Sequence, residues 1–70
     1  MDYSSLLSND QKKSILEQRI AQFASEAYQH ELNKEVAAGN PEAIQAADDA
    51  LAILDIAITV HQEELAKLEN

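Results

Sequence analysis

The chain is predicted to be all-α: an antiparallel hairpin of two helices. Three observations predict it. The single Gly and single Pro stand together in Gly39-Asn40-Pro41. The segments on either side, about 9–38 and 41–69, contain neither breaker and are rich in good helix formers. In the second segment apolar residues recur at alternating spacings of three and four, the signature of a helix with one buried stripe.

The elements follow in order. Residues 1–8 are an N-terminal arm, read either as a partly frayed terminus or as a short extra helix in which Tyr3, Leu6 and Leu7 cap the open end of the hairpin. Ser8-Asn9-Asp10-Gln11 then has the S-x-x-Q form of a capping box, and Asp10 places a carboxylate at the positive end of the helix dipole. Gly39 suits the left-handed position past a helix end, Asn40 is a strong N-cap, and Pro41 fits the first helical position, where no amide donor is needed. A connection of about two residues forces the helices to fold back antiparallel. Residue i then lies opposite about 79 − i, so His61 faces the region of Gln18 and His30 that of Asp49. Ile53 to Val60 is rich in β-branched residues, but a lone strand would have no partner.

The second helix carries a continuous seam of Ile44, Ala47, Leu51, Leu54, Ile58, His61, Leu65 and Leu68. The first helix matches it with Leu16, Ile20, Phe23 and Ala27, then falters at His30 and Lys34, while Tyr28, Leu32 and Val36 continue on a neighbouring face. These eleven apolar positions and His61, without the faltering His30 and Lys34, are the expected core of the hairpin and of any larger bundle. The second helix also has more apolar surface than one partner can cover. Nine of the eleven residues from Ala50 to Val60 are apolar, and Ala43, Ala50 and Ala57 flank the seam. Tyr28, Leu32, Val36, Ala46, Ala50, Ile53, Ile56, Ala57 and Val60 are therefore the expected oligomer interface. The expected partner is a second copy, completing a four-helix bundle or larger assembly. An obligate partner of another kind satisfies the same physics.

Composition narrows the function classes. With no Cys, the chain has no disulfide framework, thiolate metal site or cysteine nucleophile. Five basic against thirteen acidic residues give a formal charge of −8, which argues against direct nucleic-acid binding. The N-terminus lacks a signal-peptide pattern, and the most apolar run is too short to span a bilayer, so no membrane association and a cytoplasmic location are expected.

Charge is unevenly placed. Lys12, Lys13 and Arg19 lie near Glu63, Glu64 and Glu69 at the open end, where surface ion pairs are expected. Between Ile20 and Val60 seven acidic residues meet one basic residue, a local charge of −6. Glu31, Glu35, Glu42, Asp48, Asp49 and Asp55 form a candidate acidic docking face for a basic protein, or else a solubilising surface.

No catalytic, cofactor-binding or metal-binding residue is expected. Asp48 and Asp55 share a stripe but lack a nucleophile or base at a working spacing. His30 begins an H-E-x-x pattern without its second His, and no Glu precedes either His by three. The histidines are expected to set register, with protonation of a seam imidazole loosening the pairing.

The expected function is that of a small acidic, non-enzymatic helical protein, a structural, assembly or accessory interaction factor that self-associates, with a size and plainness that suit phage-encoded factors. The alternatives are an acidic inhibitor or DNA mimic that captures a basic partner, and a small-ligand binder with a pocket between hairpins.

Overall fold

Helix-forming sequence on both sides of one breaker cluster produces two helices of equal length. The computed structural model describes residues 2–69. A 3-10 turn, Tyr3–Leu6, leads into helix α1, Asn9–Val36, and then helix α2, Pro41–Leu68. The chain is an all-α helical hairpin.

The caps form as the side chains dictate. The Ser8 hydroxyl accepts the Gln11 amide at 3.1 Å, and Gln11 Oε1 accepts the Ser8 amide at 2.8 Å. Asn40 Oδ1 accepts the Ala43 amide at 3.3 Å, with Pro41 in the first helical position. The arm has its own cap, since Asp2 Oδ1 accepts the Ser4 amide at 3.1 Å.

Helix α1 ends two residues earlier than the sequence suggests. The Ala37 amide still reaches Asn33 O, but the Asn40 amide is captured by Ala37 O at 2.8 Å, closing a turn. Gly39, at φ +91°, supplies the left-handed step. Ala37 and Ala38 therefore belong to the reversal rather than the helix. Two antiparallel helices 8–10 Å apart need that extra chain to be bridged.

The seam of α2 is covered by α1 along its whole length. Ala47 and Leu54 are 5% and 8% exposed, and Ile44, Leu51, Ile58, His61, Leu65 and Leu68 are half-buried. On α1, Leu16, Ile20, Phe23 and Ala27 are half-buried, as are His30 and Lys34, and Ala37 in the reversal just beyond. The contact line of α1 thus does not shift with its apolar residues. It continues through polar positions, because a tight turn keeps the helices side by side and the spacing of three and four selects what faces inward. Across it, Arg19 faces His61 and Lys34 faces Asp48, a register one to three residues further along than expected.

The hairpin is a rod of 49 × 20 × 19 Å with a radius of gyration of 15.7 Å. A globular chain of this length would have a radius of about 11 Å. Its accessible surface is 5303 Å². A folded monomer of this mass exposes roughly 4,300 Å². The difference, about 1,000 Å², is surface that one layer of two helices cannot cover.

Candidate interaction surface

Besides Tyr3, Leu6 and Leu7 in the arm and Ile15 at the start of α1, the exposed large apolar residues of the helices lie on two separate faces. On α2, Ala43, Ala46, Ala50, Ile53, Ala57 and Val60 repeat the three-and-four spacing of the seam, displaced by one residue; Ala46, Ile53 and Val60 are exposed, and Ala43, Ala50 and Ala57 are half-buried. One residue is about 100° of helical rotation, so this second stripe stands beside the seam rather than behind it. Ile53 is 69% exposed and Val60 48%. Ile56, 67% exposed, lies further round, at the outer margin of the stripe. On α1, Tyr28, Leu32 and Val36 are exposed, Val36 at 88%. They sit on the side of α1 away from α2, so the two faces point in different directions. A single flat contact does not cover both.

The acidic residues cluster toward the turn, but not all are free. Lys34 Nζ lies 2.6 Å from Asp48 Oδ1, a cross-helix ion pair with both side chains partly exposed. Asp49 Oδ1 accepts a hydrogen bond from Gln45 Nε2 at 2.8 Å. Glu31, Glu35, Glu42 and Asp55 are exposed. The cross-helix ion pair therefore forms toward the turn. At the open end, among the described residues, the ion pair is the local one between Lys67 and Glu64, at 2.9 Å. The hydrogen-bonded Glu64 carboxylate, with its charge, holds the Lys67 ammonium above its ordinary value.

Arg19 takes a different role from the one its charge suggests. Its Nε donates to His61 Nε2 at 2.9 Å, and its guanidinium carbon stands 5.5 Å from the centre of the Phe23 ring. Phe23 meets the His61 ring edge-on at 5.0 Å. His61 Nδ1 lies 2.6 Å from Ala57 O. A carbonyl can accept but not donate, so Nδ1 carries the proton and Nε2 is free to accept from Arg19. Phe23 and His61 mark the seam in the sequence; the arginine that ties them together carries no periodic signal, because its Cα lies at the margin of the stripe.

The N-terminal arm contributes to an open cleft of about 250 Å³ lined by Ser4, Leu7, Ile15, Leu16, Leu68, Lys12 and Glu64. His30 borders a second open groove, with Ala43, Ala46 and Ala47. Among the described residues no group of three or more potential ligands converges on a metal position. No helix among them is long and apolar enough to cross a membrane. No protein-family model, curated protein or solved structure matches the chain.

Proposed function

We propose that this protein is a self-associating helical hairpin that acts by binding, as a structural, assembly or accessory interaction factor rather than as an enzyme. The observation that carries this reading is the surplus of accessible surface, about 1,000 Å² above that of a compact monomer of equal mass. A standard protein–protein interface buries about 800 Å² on each partner. The surplus is therefore of the size that one interface removes, and the open apolar stripe of α2 gives it a chemistry that favours removal from water. The acidic residues near the turn keep such an assembly dispersed.

The test is the molar mass in solution. Light scattering or sedimentation from 1 to 100 µM should give a dimer or larger species that dissociates on dilution. A mass of 7.7 kDa throughout that range overturns the proposal.

A further inference from the structure

We infer that the second copy docks antiparallel on α2, stripe to stripe, about a two-fold axis level with Leu51 and Ala52. The inference rests on the self-association proposed above and specifies its surface and direction. Three observations carry it.

The first is shape. Reversing α2 about that midpoint sets Ala43 against Val60 of the other copy, Ala46 against Ala57, and Ala50 against Ile53. The two large residues, Ile53 and Val60, each meet an alanine, and the Ala46–Ala57 level sets small on small, so no level sets large on large. A parallel arrangement sets Ile53 on Ile53 and Ala50 on Ala50, alternating crowded and empty levels.

The second is charge. Four of the five basic residues, Lys12, Lys13, Arg19 and Lys67, lie outside Ile20–Val60, where they meet six acidic residues for a net −2, while Ile20–Val60 carries the −6 with Lys34 already paired to Asp48. A parallel pair would place the two turn ends, where the −6 is concentrated, side by side. The antiparallel pair places each beside the less acidic end, net −2, that holds four of the five cations, and Glu64 and Lys67 run past the partner's turn. Like-charge avoidance of this kind selects orientation more than it adds affinity.

The third is extent. The stripe runs unbroken by charge from Ala43 to Val60, with Ile53 and Val60 exposed in the hairpin alone. Ala at three levels lets the axes approach to the near end of the 8–10 Å range.

Because the chain has no Cys, single cysteines report the geometry directly. Ala43→Cys and Val60→Cys are made separately, each checked for helix content by circular dichroism, then oxidised alone and as a mixture. Ala46→Cys with Ala57→Cys provides a second pair. The expected result is a disulfide-linked dimer in each mixture, composed of the two different variants, and little from any variant alone. Efficient linkage of Ala43→Cys or Val60→Cys to itself indicates parallel docking and overturns the inference while leaving self-association standing. A dimeric mass with no linkage in either mixture moves the interface elsewhere and also overturns it. A monomeric mass removes both the inference and the reading beneath it.

Discussion

Ile53 and Leu54 are neighbours in sequence that face different things, and truncating each to Ala separates the hairpin from its assembly. Leu54 is 8% exposed against α1. Leu54→Ala removes a buried side chain and leaves a cavity, at a cost of about 2–5 kcal/mol. A chain of this length is stable by about 4–10 kcal/mol, so the variant gives up about half of its stability and melts at a markedly lower temperature. Ile53 is 69% exposed in the single hairpin. Truncating it there costs about 0.5–1 kcal/mol, since only a third of the side chain is covered. If the partner covers the rest, the same change removes about 1–2 kcal/mol from each protomer, or about 2–4 kcal/mol from a two-fold dimer. That raises the dimer dissociation constant about 30- to 700-fold. Sedimentation equilibrium measures the constant, and thermal unfolding by circular dichroism, well below it, measures the hairpin. An Ile53→Ala dissociation constant within threefold of the parent refutes the assignment of this face. A Leu54→Ala melting curve that overlays the parent refutes the assignment of the core.

Three further outcomes follow from named contacts. The Lys34–Asp48 pair is partly exposed, so a double-mutant cycle with Ala at both positions should give a coupling of about 0.2–1 kcal/mol that shrinks in 1 M salt; a larger, salt-independent value contradicts the exposed geometry. Gly39 stands at φ +91° with open space where a Cβ would go, so Gly39→Ala meets torsional strain alone, about 1–2 kcal/mol, read as a lower melting temperature; an unchanged one contradicts it. Nitrogen-15 NMR at pH 8 should report the Nδ1–H tautomer of His61, because Ala57 O and Arg19 Nε bind its two nitrogens in opposite senses; a dominant Nε2–H form excludes the Arg19 contact.

Legibility in the sequence tracked the range of the interaction responsible. The capping box at Ser8 and Gln11, the Asn40-Pro41 start and the Gly39 reversal are each complete within four residues, so their residue types announce them. The seam of α2 is equally plain, because eight positions repeat one spacing. The path of α1 beyond Ala27 is not. His30 and Lys34 face α2 while the more apolar Tyr28, Leu32 and Val36 face away. Hydrophobic pattern alone favours the opposite orientation, but α1 is one rigid rod, and its rotation is set by Leu16, Ile20 and Phe23 further along.

The hairpin, its lengths and its antiparallel direction were thus contained in local code: propensity, caps and a short turn admit little else. Which side chains meet across it depended on the packed pair. Arg19 binding His61 rather than a glutamate, and Lys34 taking Asp48 rather than leaving the turn wholly acidic, depend on axial offsets of one to three residues. Each residue advances a helix by only 1.5 Å, while a long side chain reaches several times that far. Periodicity can therefore assign a residue to a face, but packing of the two rods is needed to choose its partner.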